Sequence, residues 1–263
     1  MLRRMSNFTV SVEDGIATVV FDRPPVNAID RSSMVELGEI FSSFEADRSV
    51  RVAIFTSAGR RAFIAGVDLG TIGTDKAELV SPAAQLDPGR LARDAMWAIT
   101  DCAVPVIAAV NGPAIGAGLA FAACCDMIVA SENASFGTTE INVGLLGASA
   151  HVSSLVGRHK AREMFFTGEL VPAADLYRIG AVRAVVEHDQ LMATATALAR
   201  TLAAKSPIAL RMAKASMNHV EGLPLKEAYR IEQTYTDRLV RFEDSLEARD
   251  AFFEKRDPEW KWR

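Results

Sequence analysis

Residues 111–126, NGPAIGAGLAFAACCD, follow an apolar run of β-strand character at residues 105–110 and pass through small side chains straight into an apolar, helix-like segment. A strand is therefore expected to feed a helix through a glycine turn. Gly116, Ala117 and Gly118 carry little or no side chain, so the first N–H groups of the new helix are open to close approach by a ligand. Bare N–H groups at a helix start favour a negatively charged oxygen. The same small residues also suit tight packing of a helix on a sheet, and by themselves they leave both uses open. Two other glycine motifs are excluded. A dinucleotide fingerprint beginning at Gly116 wants Gly or Ala where Phe121 stands, and no Gly-Lys-Ser/Thr follows to form a phosphate loop.

On the N-terminal side, residues 8–12 and 16–21 are β-rich runs joined by Glu13, Asp14 and Gly15, the composition of a hairpin loop. A turn-rich loop at residues 22–27 is followed by Asp30, an N-cap for a helix with apolar positions at Met34, Leu37, Ile40, Phe41 and Phe44. Residues 50–56 read as a buried strand and residues 90–100 as a helix. Between them, residues 70–89 are rich in Gly, Pro, Thr and Asp with weak periodicity, which predicts a mobile surface segment near a binding site. On the C-terminal side, a strand at residues 127–130 completes a second round of strand, helix and strand, so successive ββα turns are expected to wind into a spiral. Beyond Ala148 the pattern is almost wholly helical, at residues 161–166, 173–179, 191–204, 207–220, 224–239 and 243–254, with one strand at 182–186. Pro172, Pro207 and Pro224 are expected in the first turns of their helices. The expected division is an α/β core over residues 1–200 and a helical oligomerisation region over residues 201–263.

With 263 residues, 49% of them hydrophobic and 24% charged, the chain has a globular composition and the length to bury roughly three quarters of its unfolded surface. A net charge of −4 without a long basic run argues against a nucleic-acid partner. Pro105, Asn111 and Pro113 interrupt the apolar region at 103–130, so no membrane span is expected. Cys102, Cys124 and Cys125 are odd in number, and two are adjacent in an apolar segment, which suits neither a disulfide framework nor a metal site. They read as buried thiols in a reducing, cytoplasmic setting.

Six pieces of the sequence recur in order: FIAGVDL from Phe63 to Leu69, NGPAIGAG from Asn111 to Gly118, Cys125-Asp126, FGTTE from Phe136 to Glu140, Val143-Gly144, and FEKR from Phe253 to Arg256. Together they resemble the enoyl-CoA hydratase/isomerase (crotonase) superfamily over nearly the whole chain. The resemblance implies an α/β, crotonase-like spiral of ββα units and a C-terminal helical trimerisation region, assembling as a homotrimer or a dimer of trimers. It also implies an acyl-CoA thioester as ligand and no cofactor, coenzyme A being part of the substrate. In this family two backbone N–H groups form an oxyanion hole for the thioester carbonyl, and the matching positions are Val67 and Ala117, flanked by Gly66 and Gly116. Taking or giving a proton at the α-carbon puts charge on the carbonyl oxygen as an enolate, which preorganised donors stabilise; losing one donor in comparable sites costs roughly 3 to 4 kcal/mol.

The family's acid/base residues carry over one at a time. Hydratases of this type have two glutamates. Glu140 matches the second, and the first falls on Ala120, which neither gives nor takes a proton. Losing half of such a pair typically costs about 10² to 10⁴ in rate. Moving a double bond from the 3- to the 2-position needs only one carboxylate, so a lone Glu140 favours isomerisation on mechanism. A 2-enoyl-CoA hydratase or lyase working with one glutamate, and a non-catalytic acyl-CoA binding protein, stand as alternatives.

A second departure is GLLGASAH from Gly144 to His151, where the family usually has a proline and a Gly-Gly-Thr ending. His151 is expected near the pocket, holding a water or the acyl chain, or packed as an ordinary hydrogen-bonded residue. The same stretch misses the Gly-x-Ser-x-Gly nucleophile elbow by its last residue, which argues against a serine hydrolase. The resemblance further implies contacts of Ala65 to adenine and of Val26 and Ala28 to the pantetheine. It brings Phe252 and Lys255 to the nucleotide, where a lysine suits the 3′-phosphate as a point charge. Asp68 reads as structural rather than catalytic, and His159, His188 and His219 as surface residues.

Overall fold

A computed structural model describes residues 2–68, 70 and 86–263. Residues 71–85, most of the segment expected beside the binding site, lie outside the described residues, as does Leu69. The strands are β1 Leu2–Arg4, β2 Phe8–Glu13, β3 Ile16–Phe21, β4 Val52–Ser57, β5 Val106–Val110, β6 Ala114–Ile115, β7 Met127–Ser131, β8 Ser135–Gly137, β9 Val171–Pro172 and β10 Ala184–Val186. Among the described residues they form a seven-stranded sheet in the order β1-β2-β3-β4-β5-β7-β10 and a three-stranded sheet in the order β6-β8-β9.

The chain opens with the expected hairpin. Asp14 and Gly15 have φ of 50° and 80°, and Glu13 pairs directly with Ile16 across this two-residue turn; two positive φ values give the twist that an antiparallel hairpin needs. From β3 onward the large sheet is parallel, and parallel neighbours require crossovers, which helices supply. Helix Arg31–Ser43 joins β3 to β4, capped by Asp30 Oδ1 accepting from Ser33 N at 2.8 Å. Helix Arg90–Thr100 leads into β5, and helix Ala117–Ala123 joins the turn after β6 to β7.

Helices cover both faces of the sheet, which explains why its strands read as continuous apolar runs. In β4, Ala53 and Phe55 face one core, with Phe41 and Phe63. Val52 and Ile54 face the other, with Ile107 and Val129 from neighbouring strands and Leu191, Ala195, Ala199 and Ala203 from helix Leu191–Ala203. Those four positions recur every fourth residue and form one stripe of that helix. The alternating β/α architecture and the helical C-terminal region expected from the sequence are both present.

Several elements were not expected. Helix Ser149–Val156 precedes helix Arg158–Thr167, and the small sheet contains β6, β8 and β9, too short for periodicity to reveal. Pro207 is the first residue of its helix, whereas Pro172 and Pro224 stand one position earlier, as N-caps with ψ of 145° and 139°. The boundary expected at residue 200 falls inside helix Leu191–Ala203. The C-terminal region is tied to the core by Lys214, which is buried in helix Pro207–Val220. Its Nζ donates to Ile99 O at 3.0 Å, Val104 O at 3.2 Å and Asp126 Oδ2 at 2.8 Å. Asp126 Oδ2 also accepts from Val106 N at 2.7 Å, at the start of β5. Among the described residues no helix is long and apolar enough to cross a membrane, and no group of three or more His, Cys, Asp or Glu side chains is placed to hold a metal.

Candidate active site

The strand-turn-helix stretch places bare backbone where two loops converge. Beyond β5, Asn111 Nδ2 donates to Ser57 O at 2.9 Å and Gly59 O at 2.8 Å, fastening the end of β5 to the loop after β4. The chain then turns at Gly116, which has φ 54° and ψ −109° and whose N–H donates to Gly137 O at 2.9 Å. An L side chain rarely adopts that conformation. A Cβ on Gly118 would collide with Ile64 O, so this position must be glycine for helix Ala117–Ala123 to lie against residues 64–67. That helix has only seven residues, so a ligand here would meet individual N–H groups rather than a long macrodipole.

The opposite wall is a loop held from outside. Ile29 N donates to Gly66 O and Asp68 N to Ile29 O, both at 2.9 Å, so Val67 is bracketed by two bonds to the segment before the first helix. Arg23 fixes the two loops together: Nη2 lies 2.7 Å from Asp68 Oδ2, Nε 3.2 Å from Asp30 Oδ2, and Nη1 donates to Ala28 O at 2.7 Å. The hydrogen bond from Arg23, helped by one from Gly70 N–H, holds the Asp68 carboxyl below the usual range. Asp68 thus ties the stretch of loop that carries Val67 to Arg23 and Ile29. Asn27, which the sequence did not single out, adds bonds of 3.0 Å from Nδ2 to Ala58 O and Ala62 O. Among the described residues, neither Val67 N–H nor Ala117 N–H donates to a backbone carbonyl outside its own element.

Glu140 comes from a single 3₁₀ turn, Thr139–Val143, that follows β8 and ends at Gly144 with φ 71°. Its carboxylate packs directly over the α-carbons of Gly116 and Gly147. Glu140 Oε2 is buried and has no hydrogen-bond partner among the described residues. It is one of six buried side-chain polar atoms without a partner among the described residues, and the one that belongs to the cavity lining, where a ligand can reach it.

These pieces enclose a cavity of about 430 Å³. Of the expected site residues, Ala65, Gly66, Val67, Gly116, Ala117, Ala120, Glu140 and His151 all line it. Ala120 is fully buried and offers only a methyl group. The remaining described wall is mostly apolar, including Met96, Ile115, Val143, Leu145 and Leu146, which the sequence reading did not assign to the site. The adjacent Leu145 and Leu146, flanked by glycines and too short for a core element, were the available signal. Val26 and Ala28 lie in the loop clamped by Arg23, outside the lining. Phe252 and Lys255 also stand away from it, at the end of helix Glu243–Glu254, with Phe252 78% exposed and Lys255 at φ 56°.

Comparison with known proteins gives a consistent set of likenesses. A sequence model described as enoyl-CoA hydratase/isomerase matches residues 11–263. The chain is 40% identical over 243 residues, 92% of its own length and 96% of the relative's, to (7aS)-7a-methyl-1,5-dioxo-2,3,5,6,7,7a-hexahydro-1H-indene-carboxyl-CoA hydrolase of Mycobacterium tuberculosis. It is 37% identical over 261 residues to carnitinyl-CoA dehydratase of Proteus mirabilis, covering 97% of this chain and 98% of that one. Among solved structures, an enoyl-CoA hydratase of Mycobacterium smegmatis superimposes with a TM-score of 0.89 at 33% identity, over 97% of this chain and 99% of that one. An enoyl-CoA hydratase of Bacillus anthracis gives 0.89 at 28% identity, over 98% and 100%.

Proposed function

The chain belongs to the enoyl-CoA hydratase/isomerase (crotonase) family and is an enzyme acting on acyl-CoA thioesters; from that premise we propose that it adds or removes water across the C2–C3 bond of an acyl-CoA, using Glu140 as its one carboxylate. The observation that carries the proposal is the Glu140 carboxylate, whose unpartnered Oε2 is buried beside an apolar cavity to which helix Ala117–Ala123 presents Ala120, a residue with no acid/base group.

In the dehydrating direction Glu140 takes a proton from C2, and the C–H electrons move onto the thioester oxygen, forming an enolate. The N–H groups of Val67 and Ala117 hold that oxygen. As the enolate collapses, C2=C3 forms and the C3–O bond breaks. The departing oxygen leaves as water with the proton that Glu140 took. Hydration is the reverse: Glu140 accepts a proton from water as its oxygen adds to C3, then delivers that proton to C2. One carboxylate therefore closes the proton count, because both transfers occur on one face of the substrate. The donors are main-chain groups, so Val67 and Ala117 contribute geometry rather than side-chain chemistry, and preorganised donors of this kind are often the largest contribution to rate.

Double-bond migration, favoured on the residues alone, is the second reading; there Glu140 returns the proton at C4. The likeness to a carnitinyl-CoA dehydratase at 37% identity moves the balance toward water chemistry. The test is a panel of 2-enoyl- and 3-enoyl-CoA esters in heavy water. A 3-hydroxyacyl product supports the proposal, while label at C4 with a migrated double bond replaces it with isomerisation. Glu140→Gln is expected to lower turnover by at least about 10²-fold while leaving CoA-ester binding nearly intact. Unchanged turnover would end the assignment, and binding without reaction by the wild-type protein would make it an acyl-CoA binding protein.

The same proposal extends to assembly and setting. We assign residues 1–200 to the acyl-CoA core and residues 201–263 to oligomerisation as a trimer or a pair of trimers. Exposed Met217, Leu225, Tyr229 and Val240 on the C-terminal helices support that role, and light scattering reads it directly. Phe252 and Lys255 are assigned to the nucleotide end of coenzyme A, Ala65 to its adenine, and Val26 and Ala28 to its pantetheine. The three free thiols, Cys102, Cys124 and Cys125, suit a reducing, cytoplasmic compartment.

A further inference from the structure

Glu140 and His151 are the two titratable side chains among the described residues lining the cavity. His151 lies in the first turn of helix Ser149–Val156, entered through Ala148 at φ 56°. Val152, 1% exposed, and the partly buried Leu155 and Val156 hold this helix against the core, so the next position round, His151, is presented to the cavity. The backbone carbonyl of His151 accepts from Ser154 Oγ at 2.8 Å, but among the described residues its imidazole has no hydrogen-bond partner. A half-buried imidazole that lines an apolar cavity and has no protein partner leaves one donor and one acceptor open to a polar atom that arrives with the substrate.

The reaction supplies such an atom. Glu140 and the two main-chain N–H groups account for C2 and the thioester oxygen. Glu140 meets the oxygen at C3 only to exchange a proton with it, and while the carboxylate works at C2 nothing in that set holds that oxygen, whether it belongs to the attacking water or to the 3-hydroxyl. A second carboxylate at position 120 would do so, and Ala120 presents only a methyl. We propose that His151 is the residue that binds the oxygen at C3, through one ring nitrogen, and so takes over the water-holding part of the work that a second carboxylate performs elsewhere. The proposal rests on the reading of the site as a hydratase and adds to it a named partner for the water.

Neutral imidazole suits this task because it carries one donor and one acceptor: it can donate to a departing hydroxyl and accept from an entering water. Burial alone lowers the His151 pKa from its ordinary 6.5, which favours the neutral form near pH 7. No net proton passes through the ring. Glu140 takes the C2 proton and returns it to the leaving oxygen, so the count closes without imidazolium or imidazolate.

The test separates chemistry at C3 from chemistry at C2. Wild-type protein, His151→Phe and His151→Gln are compared in two assays: hydration of a four-carbon 2-enoyl-CoA, and uptake of deuterium at C2 of the saturated four-carbon acyl-CoA in heavy water, which needs only Glu140 and the oxyanion donors. His151→Phe is expected to lose about 10²-fold in the kcat of hydration, with most of its C2 exchange retained. His151→Gln, which keeps a hydrogen-bonding group, should recover much of the loss. Hydration undiminished in His151→Phe overturns the proposal. So does a parallel fall in both assays, which would mark a merely structural residue. Wild-type protein that exchanges the C2 proton without adding water would instead sink the hydratase reading, and this proposal with it.

Discussion

Gly116→Ala is the sharpest test of how the site is built, because this one glycine serves both the turn and the carboxylate. A Cβ at position 116 would stand 2.8 Å from the Glu140 carboxyl carbon, where ordinary contact begins at 3.4 Å. The carbon must therefore retreat by roughly 0.6 Å, and the nearer oxygen, Oε1, by more. Misplacing a reacting group by about 1 Å costs on the order of 10² in rate. A separate cost falls on the backbone, since φ 54° with ψ −109° lies outside the regions open to alanine; such strain is about 1–3 kcal/mol. The expected result is a kcat lowered about 10²-fold, KM little changed, and a loss of stability of that size in chemical denaturation. Gly147→Ala separates the two effects. Its Cβ would stand 2.7 Å from Glu140 Oε1, but Gly147 is not among the positive-φ residues, so kcat should fall with a smaller loss of stability. A folded Gly116→Ala protein with full kcat would refute the idea that this glycine exists to let Glu140 approach the thioester site.

Two further predictions concern the frame around the site. Lys214→Met removes three hydrogen bonds and leaves Asp126, whose side chain is 28% exposed, without its cation. Breaking a buried pair in this way costs about 3–5 kcal/mol, and the lower end is expected here because Asp126 keeps some contact with water; urea denaturation reads it, and an unchanged midpoint would contradict the tie described. The cysteines should be silent in the folded protein. Burial pushes the Cys124 thiol up to about 11 and raises those of Cys102 and Cys125, so at pH 8 almost no thiolate exists to react. A chromogenic disulfide reagent should report no fast thiol until denaturant is added, and rapid labelling of native protein would show that the segment around Cys124 opens.

The fold was legible in the sequence wherever an element was long enough to show a period. Asp30 as a cap, the apolar face of helix 31–43, the helix at 90–100 and the short hairpin loop are local features, and the structure reproduces them, with Glu13 joining the strand. The small sheet of β6, β8 and β9 was not legible, because two or three residues carry no periodicity and their pairing partners are far apart in sequence. The Lys214–Asp126 tie spans 88 positions, and a lone lysine in a helix gives no sign of being buried. For the site, the positions drawn from the resemblance at 65–67, 116–117, 120, 140 and 151 line one cavity, while Val26, Ala28, Asp68, Phe252 and Lys255 do not line it. The wall formed by Met96, Leu145 and Leu146 was missed, since an apolar side chain in a helix or a glycine-rich loop looks the same whether it faces core or ligand.

The division of labour within the site explains how one frame hosts several reactions. The N–H groups of Val67 and Ala117, proposed above as oxyanion donors, are main-chain groups held by Arg23, Asp68, Gly116 and Gly118, so their geometry does not depend on what side chain stands at position 120. Relatives of 28–40% identity that align over nearly the whole chain carry the names hydrolase, dehydratase and hydratase. A frame common to all of them cannot be what distinguishes those reactions. What remains is the small set of polar side chains that project into the cavity, which among the described residues here are Thr139, Glu140 and His151. With only a methyl group at Ala120, the proposed proton transfer would depend on where Glu140 can reach, and the atom at C3 on what holds it. On the proposal made above, position 151, at the start of a helix absent from the sequence-based expectation, is where this chain's chemistry would depart from that of an enzyme with a carboxylate on the preceding helix.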